Sequence, residues 1–404
     1  MSLRVVHTSD WHLGHTLASH SRAHEHARFF AWLLDLLEEE GADALLVSGD
    51  VYDRVIPPSS AVRSFYAFLE AAHARCPELD IVVTGGNHDG AARLEAPAEV
   101  VERRIRLIGG YDEARPERVR VPLTDGHGEV AAHVVAMPFL RPGDYPASLG
   151  TAEGYAAVYE RALDAARERC RGGEALLAMG HCHMAGAALR ETDSERPVLR
   201  GGEEAVPTAI FGRDVAYVAL GHLHLAQPVG SERVRYCGSP IPLSMGEAGY
   251  THQVLVADFD GATLRSVRSR IVPRSVPVRR FEGALEEVVG EIAASDLPDA
   301  EAPAEEHAFV DVRLTDLAPR ARDRVREALA PFGARLVAVR IDAPIRQMVG
   351  PSTVSSESGL QTFEPEQVFA ALHERRRGGP PEEALVTCFR ELLREAENRE
   401  STPA

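Results

Sequence analysis

The sequence predicts a layered α/β fold, and two observations lead to that prediction. From the N-terminus to about residue 260, short apolar runs with strand character alternate with amphipathic stretches of helical spacing, as a sheet covered by helices requires. Polar residues that can bind metal follow five of the apolar runs directly. Because the carboxyl ends of parallel strands meet along one edge of a sheet, these residues are expected to converge there.

The individual elements follow from spacing and composition. Arg22 to Glu40 has apolar residues three and four positions apart, including Phe29, Leu33 and Leu37, which is the pattern of a buried helix face. Ser59 to Ala74 is predicted to be a second helix. Strands are predicted at Leu3 to His7, Ala44 to Ser48, Ile81 to Thr84, Ala175 to Met179 and Val215 to Leu220.

Seven candidate metal ligands follow these strands in five clusters. They are Asp10 with His12, Asp50, Asn87, His181, and His222 with His224. Carboxylate and amide oxygens combined with imidazole nitrogens suit manganese, iron or zinc, and the chain has no Cys-x-x-Cys pair for a thiolate site. Two divalent ions need a shared anionic oxygen, which neutral histidine or asparagine cannot supply, so Asp50 is the predicted bridge.

Glycines accompany every ligand cluster but the first. A chain that leaves a strand and approaches a metal or phosphate must turn sharply, which favours glycine. The residues concerned are Gly49, Gly85, Gly86, Gly180 and Gly221.

Composition limits the protein class. The 404 residues have room for two domains and a tail. No apolar run is long enough for a membrane span and no signal segment precedes the first strand, so no membrane partner and a cytoplasmic location are expected. The five scattered cysteines indicate reduced thiols. The net charge of −17 requires any DNA contact to be local or assisted by a partner.

The pattern changes after residue 272. Residues 273–345 predict a small α/β cap with the order strand, helix, strand, helix, strand. Residues 346–404 predict a Ser-rich linker and two helices, Pro365 to Arg376 and Pro381 to Glu397. The second helix has an apolar face without an obvious core to enter, so it either packs on its own domain or docks on a partner, and docking is favoured.

Five motifs resemble those of the calcineurin-like metallophosphoesterases. They are Ser9-Asp10-Trp11-His12-Leu13-Gly14, Gly49-Asp50-Val51-Tyr52-Asp53, Gly86-Asn87-His88-Asp89, Gly180-His181 and Gly221-His222-Leu223-His224. Two further stretches are similar to the SbcD-type nucleases within that superfamily. They are Met137 to Pro142 and Tyr236 to Ser244.

The resemblance implies a layered α/β/β/α sandwich over residues 1–272, with the small α/β cap and C-terminal helices beyond it. It assigns Asp10, His12 and His224 to one divalent ion and Asn87, His181 and His222 to the other, with Asp50 bound to both. Manganese is the preferred metal, with magnesium, iron or zinc as alternatives. His88 is implied to contact the scissile phosphate, with Asp89 available to orient its imidazole. Asp53 stands where some relatives have a second histidine, and it is expected to be a hydrogen-bond acceptor.

The implied function is a double-strand 3′–5′ exonuclease and single-strand or hairpin endonuclease. It would act on DNA with an SbcC-type ATPase, bound through the C-terminal helices, as a homodimer within a heterotetramer serving repair and recombination. Two alternatives keep the fold: a stand-alone phosphodiesterase acting on a small ester or phosphoprotein, and a non-catalytic scaffold. The cap and tail disfavour the first alternative, and the intact ligand set disfavours the second.

Two other groups of residues could also bind metal. Cys182 and His183 adjoin His181, but the glycine that precedes His181 favours the latter as the ligand. His15, His20, His24 and His26 form a local cluster, for which solvation on a loop and helix surface is the preferred interpretation.

Overall fold

A computed structural model of the chain describes most of the sequence. The described residues are 2–97, 104–189, 205–316, 318, 320–341, 365–377, 379–381, 383, 385–387 and 389–390. Two compact units are present: Met1–Arg313 with Arg320–Arg340, and Leu314–Pro319 with Ile341–Ala404. The predicted boundary at residue 272 lies within the first unit and remains a prediction. Within the described residues, no helix is long and apolar enough to cross a membrane.

The first unit contains a six-stranded sheet, called sheet 1 below. Its strands are β1 (Ser2–Thr8), β4 (Ala44–Ser48), β5 (Asp80–Thr84), β6 (Ile105–Ile108), β13 (Gln253–Asp260) and β14 (Thr263–Ile271), in the order β14-β13-β1-β4-β5-β6. The four strands from β1 to β6 are parallel, whereas β13 and β14 are antiparallel to their neighbours. The parallel strands therefore end at one edge, as the sequence predicted.

A second six-stranded sheet, sheet 2, has the order β11-β12-β10-β9-β8-β7. Its strands are β7 (Arg120–Thr124), β8 (Val130–Ala136), β9 (Ala175–His181), β10 (Tyr217–Gly221), β11 (Gln227–Val229) and β12 (Ser231–Tyr236). Strands β8, β9, β10 and β12 are parallel. A short hairpin, β2 (Thr16–Leu17) and β3 (His20–Ser21), precedes the first helix.

The two sheets pack face to face between helical layers. The helices are α1 (Ala23–Glu40), α2 (Ser59–Arg75), α3 (Ala91–Glu95) and α4 (Thr151–Arg167). Alternate residues of sheet 1 serve different cores: Val5 and Leu46 pack between the sheets, whereas Val6 and Leu45 pack with the helical residues of α1 and α2. Burial on both faces explains why these strands are continuous apolar runs. Helix α4 covers sheet 2, so the predicted α/β/β/α layering is confirmed.

The cap elements also match the predicted order. They are β15 (Val278–Gly283), α5 (Leu285–Ala293), β16 (Ala308–Leu314), α6 (Ala321–Leu329) and β17 (Ala334–Ile341), with the sheet order β15-β16-β17. Phe309 of β16 packs with Met245, and its ring lies 5.1 Å from the Arg22 guanidinium carbon and 4.7 Å from that of Arg335. A buried aromatic ring between two guanidinium groups thus connects the cap to the start of α1.

The second unit contains α7 (Pro365–Arg377), which corresponds to the first predicted tail helix. The Phe369 and Phe389 rings stack with centroids 4.3 Å apart, and Arg390 pairs with Glu366 at 2.6 Å. Residues 391–397 of the second predicted helix lie outside the described residues.

Candidate metal centre

The loop after β1 presents Asp10 and His12 by anchoring the residue between them. Trp11 is fully buried, its ring contacts four phenylalanines of α1 and α2, and its Nε1 donates to the Thr8 hydroxyl at 3.0 Å. The phenylalanines are Phe29, Phe30, Phe65 and Phe68. The backbone then turns on both sides of the tryptophan, with φ of 54° at Asp10 and 47° at His12. This anchoring directs the two ligand side chains away from the helical layer and into the site.

Asp50 lies at the centre of the site. Its Oδ2 is 3.4 Å from Nε2 of His12 and 3.4 Å from Nε2 of His181, while its Oδ1 accepts the backbone N–H of His88 at 2.9 Å. The residue is almost fully buried and has a φ of 50°. One carboxylate oxygen is therefore equidistant from an imidazole of sheet 1 and an imidazole of sheet 2.

Three predicted ligands meet on one side of Asp50. Asn87 Oδ1 lies 3.0 Å from Nε2 of His181 and 3.1 Å from Nδ1 of His222. His181 is held by its other nitrogen, which donates to the Ser48 carbonyl oxygen at 2.9 Å. The Phe139 ring lies beside both imidazoles, with centroids 6.2 and 6.4 Å away. The structure thus brings together Asn87, His181 and His222, as expected.

The remaining ligands meet on the other side. A ligand atom of each of Asp10, His12 and His224 lies within 4.8 Å of the others. The backbone N–H of His222 donates to Asp10 Oδ1 at 2.9 Å, which links the end of β10 to the loop after β1. All seven predicted ligands are consequently found in one place.

Glu247 is a functional candidate that sequence reasoning missed. It is fully buried, and its Oε1 lies 3.1 Å from Nδ1 of His224. Its other oxygen accepts the backbone N–H of Leu243 at 2.8 Å. The available signal was an acidic residue two positions after the apolar and proline-rich stretch from Pro240 to Met245. A carboxylate next to such a stretch tends to be buried, and a buried carboxylate needs a hydrogen-bond partner.

Glycine packing fixes how closely the loops approach. A Cβ atom on Gly49 would lie 2.2 Å from Nδ1 of His181, and one on Gly86 would lie 2.1 Å from Oδ1 of Asp50. Both distances are far below van der Waals contact. Gly49 also has a φ of 83°, which residues with a side chain rarely adopt. The glycines predicted from the motifs are therefore required by steric space as much as by turn geometry.

Backbone strain concentrates at the same place. Among the described residues, seven other than glycine have positive φ, and four of them are predicted ligands. Those four are Asp10, His12, Asp50 and His222. Such conformations cost about 1 kcal/mol or more each and persist only where the surroundings hold them, most often at functional sites.

The electrostatics of the centre favour a bound cation. Burial raises the pKa of the Asp50 carboxyl, but the imidazoles of His181 and His12 outweigh burial and hold that pKa well below its usual range. Burial lowers the pKa of His181, and the Asp50 carboxylate more than offsets it, so that the pKa rises to about 9. Burial lowers the pKa of His12. The centre thus contains an ionised carboxylate that stabilises positive charge among the rings.

The distances fit metal coordination. Donor atoms bound to one ion at about 2.1 Å lie about 3.0 Å apart at adjacent octahedral positions and about 3.4 Å apart in a tetrahedron. The separations around Asp50 and Asn87 lie in that range. Among the residues that the structure describes, the buried Nε2 of His12 has no hydrogen-bond partner. An imidazole nitrogen in that state has a lone pair available to a metal.

The acceptor beside the His88 imidazole differs from the expected one. His88 is exposed, and its Nδ1 lies 2.9 Å from the backbone oxygen of Asp53. The Asp89 carboxylate instead accepts backbone N–H groups of Gly86, Val51 and Tyr52 at 2.8, 3.1 and 2.9 Å. The acceptor that orients the His88 imidazole is therefore the Asp53 carbonyl, because the Asp89 carboxylate is occupied in holding the two ligand loops together. Burial and the nearby Asp50 raise the pKa of Asp89 to about 6.

The other residues that the sequence offered as possible metal ligands lie outside the ligand groups that the described residues form. Cys182 and His183 belong to none of the ligand groups found among the described residues, and the Cys182 thiol lies 3.5 Å from the Met184 sulfur. Within that same part of the chain, no ligand group includes the four clustered histidines.

Of those four histidines, His20 is exposed and His24 half-buried. Solvation is the wrong interpretation for the other two. His15 lies 2.8 Å from Asp53 Oδ1, and His26 is buried with its Nε2 2.7 Å from the Trp11 carbonyl oxygen. Asp53 is thus an acceptor for an imidazole beside the site, as expected.

Comparison with known proteins agrees with this geometry. A family model described as calcineurin-like phosphoesterase matches residues 3–226, more than half of the chain, and one described as type 5 capsule protein repressor C-terminal domain matches residues 274–377. The SbcD subunit of the nuclease SbcCD from Rhodobacter capsulatus is 38% identical over 390 residues, covering 91% of this chain and 94% of that protein. The chain belongs to the SbcD family of calcineurin-like phosphoesterases.

Two further SbcD relatives are similar over long stretches. The corresponding SbcCD nuclease protein of Escherichia coli K12 is 33% identical over 306 residues, which cover 72% of this chain and 73% of that protein. The protein of the same name from Bacillus subtilis strain 168 is 31% identical over 415 residues, covering 99% of this chain and all of that protein. The chain is accordingly a metal-dependent hydrolase of the nuclease class, and membership of the family implies divalent metal ions.

Proposed function

We propose that this SbcD-family chain is a dinuclear-metal DNA nuclease with double-strand 3′–5′ exonuclease and single-strand or hairpin endonuclease activity. The observation that carries the proposal is the position of Asp50 Oδ2, 3.4 Å from an imidazole nitrogen on each side. A single anionic oxygen between two sets of ligands is the arrangement that a pair of divalent ions requires.

The ligand sets divide around that oxygen. Asp10, His12 and His224 would hold one ion, Asn87, His181 and His222 the other, and Asp50 would be shared. Bound divalent cations would supply positive charge that binds phosphodiester oxygens. The same charge would lower the pKa of a water molecule, so that hydroxide becomes available to attack phosphorus. Manganese suits this mixture of carboxylate, amide and imidazole donors.

His88 is placed to contact the substrate. Its ring is exposed and lies 4.9 Å from that of His12, centroid to centroid. With Nδ1 donating to the Asp53 carbonyl oxygen, Nε2 of the charged ring can donate a hydrogen bond to a phosphate oxygen or a proton to the leaving oxygen. Asp89 contributes by fixing the loops that carry Asp50 and Asn87.

The tail would bind an SbcC-type ATPase. Val368, Leu372 and Leu385 in the second unit are each 40% exposed or more. Apolar side chains presented by helical segments are suited to docking on a partner's helices. A complex of two such subunits with two ATPase subunits would also provide the DNA affinity that a net charge of −17 opposes.

The test compares substrates with and without the partner. The purified chain with Mn²⁺ is given end-labelled duplex, a hairpin and a chromogenic phosphodiester, alone and with the SbcC-type ATPase of the same organism, with Asp50→Asn as the control. We expect cleavage of both DNA substrates that disappears in the control. Cleavage of the small ester alone would favour a stand-alone phosphodiesterase, and no cleavage with the partner present would favour a scaffold.

A further inference from the structure

A second cluster of ligand side chains lies at the other end of sheet 2. His133 is on β8, Cys170 follows α4 and Glu174 directly precedes β9. A ligand atom of each lies within 4.8 Å of the others. In the described part of the chain, it is the one such group that shares no residue with the metal centre. Because β9 runs from Ala175 to His181, about 20 Å of strand separates the two places.

The geometry of the cluster resembles a coordination site more than a hydrogen bond. Nε2 of His133 lies 3.4 Å from Oε2 of Glu174, and both side chains are 8% exposed. That separation equals the edge of a tetrahedron around an ion at about 2.1 Å. Nδ1 of the His133 ring is buried without a hydrogen-bond partner among the described residues. A neutral imidazole carries its proton on one nitrogen only, so with that proton on Nδ1 the lone pair of Nε2, on the side of Glu174, is available to a metal.

The three residues are held in place before any ion binds. Glu174 Oε2 accepts the backbone N–H of Arg171 at 2.7 Å, and the Glu174 N–H donates to the Arg171 carbonyl oxygen at 3.1 Å. The Cys170 N–H donates to the Ala166 carbonyl oxygen at 3.0 Å, which closes the end of α4. His133 pairs with Leu176 across β8 and β9. Ligands on a tight turn and a central strand form a preorganised site.

We infer that His133, Cys170 and Glu174 form a second metal site, which binds a thiophilic divalent cation such as Zn²⁺ with water as the remaining ligand. One sulfur, one nitrogen and one carboxylate oxygen are donors that zinc accepts at tetrahedral positions. The metal centre has no cysteine ligand, so the two sites differ in metal preference.

Charge and protonation agree with this assignment. Burial lowers the pKa of His133, which leaves the ring neutral and able to bind metal. Burial raises the pKa of the Cys170 thiol, so an ion must displace its proton, which leaves to solvent. Arg120 is close enough to act on both groups, and its charge is outweighed by those of the carboxylate and the thiolate.

A metal ion bound to all three side chains would link the turn between α4 and β9 to strand β8. A ligand that binds only the folded chain stabilises it in proportion to the logarithm of its concentration. Zinc is therefore expected to raise the unfolding temperature of the wild type and of Asp50→Asn by more than it raises that of Cys170→Ser.

Cobalt substitution tests the site independently of the nuclease reaction. The full chain is stripped with a chelator and titrated with Co²⁺, and the near-ultraviolet thiolate-to-cobalt charge-transfer band is recorded. We expect the band in the wild type and in Asp50→Asn, its loss in Cys170→Ser, and its displacement by Zn²⁺. Cys76→Ser, which alters the other half-buried cysteine among the described residues, is the matched control and should retain the band.

Two further variants keep the result interpretable. His133→Gln and Glu174→Gln should each weaken Co²⁺ binding by about tenfold or more, with circular dichroism used to verify folding. No charge-transfer band in the wild type, a band that survives Cys170→Ser, or one that disappears in Cys76→Ser would overturn the site. Each outcome is independent of the proposed nuclease function, because Asp50→Asn removes the latter and leaves the band.

Discussion

The two sheets contribute different chemistry to one centre. Sheet 1 provides every proposed oxygen ligand, and sheet 2 provides three of the four imidazoles. From sheet 1 come Asp10, His12, Asp50 and Asn87, and from sheet 2 come His181, His222 and His224. Neither sheet alone has a complete set, so the ion-binding geometry exists only where the carboxyl ends of both sheets meet.

The sheets also differ in backbone conformation. Three of the four sheet 1 ligands have positive φ, against one of the three sheet 2 ligands, His222, while His181 lies within strand β9 and its ring packs against Gly49. Most of the strained ligand positions thus lie in the sheet 1 loops, which Trp11 and Asp89 hold in place. The contrast indicates that the loops of sheet 1 are the more sensitive to substitution.

The largest effect should come from breaking the contact between the two ligand sets. Asp50→Asn removes the anionic oxygen that lies 3.4 Å from both His12 and His181, and Mn²⁺-dependent hydrolysis of labelled duplex should fall on the order of 10³-fold. Asn87→Ala removes a ligand from one of the two ligand sets only, so this variant should lose less activity. Equal losses in the two folded variants would show that Asp50 is an ordinary ligand.

The second effect is a loss of stability, which is expected where Gly49 of sheet 1 packs against His181 of sheet 2. Gly49→Ala places a methyl group 2.2 Å from the His181 ring and should reduce the free energy of unfolding by about 3 kcal/mol. Gly128 is the matched control, since its φ of 78° resembles the 83° of Gly49 but no atom lies within 4 Å of an added Cβ. Gly128→Ala should cost about 1 kcal/mol. Urea unfolding of both variants measures the difference, and similar values would contradict the packing argument.

Orientation of a sheet 2 ligand predicts a smaller effect on metal affinity. Glu247→Gln weakens the acceptor 3.1 Å from Nδ1 of His224, and affinity for Mn²⁺ should fall by about tenfold. Activity should recover as Mn²⁺ is raised, which a purely structural defect would not allow. Glu40→Gln, which alters a buried carboxylate at the distant end of α1, should leave Mn²⁺ affinity unchanged.

The smallest effect concerns an ion-pair network at the edge of sheet 1. Hydrogen bonds from Arg268, against a smaller opposing effect of burial, hold the pKa of Glu40 below its usual range, and Arg270 adds to them. Because the folded pKa is lowered, the stabilisation is present at neutral pH and is lost as the pH falls below about 4.3. Thermal unfolding of Glu40→Gln against the wild type should differ by about 1 kcal/mol at pH 7 and converge in acid.

The sequence was sufficient for the layers and for the place where ligands meet. Strand positions such as Ala44–Ser48 and helix α1 follow from spacing, because strands buried on both faces and amphipathic helices leave distinct patterns. The convergence of Asp10, Asp50 and His181 followed from the rule that ligands follow parallel strands.

What the sequence did not provide depends on contacts between distant residues. Glu247 and Asp89 act through hydrogen bonds to His224 and to three backbone groups, and no local pattern specifies which partner a buried carboxylate finds. The hydrogen bonds of His15 and His26 were missed for the same reason, since their acceptors lie on Asp53 and Trp11. The cluster of His133 with Cys170 depends on the pairing of β8 with the start of β9.

The division of donors between two sheets has a consequence for how the protein comes apart. Separating the sheets would disperse the ligands of any bound ion in one event, so a chelator that captures the released metal would record the same transition as calorimetry. The amount of metal that stays bound during heating would then measure the fraction of protein in which the two sheets are still packed together. The unfolded fraction could be calculated from the metal released into solution.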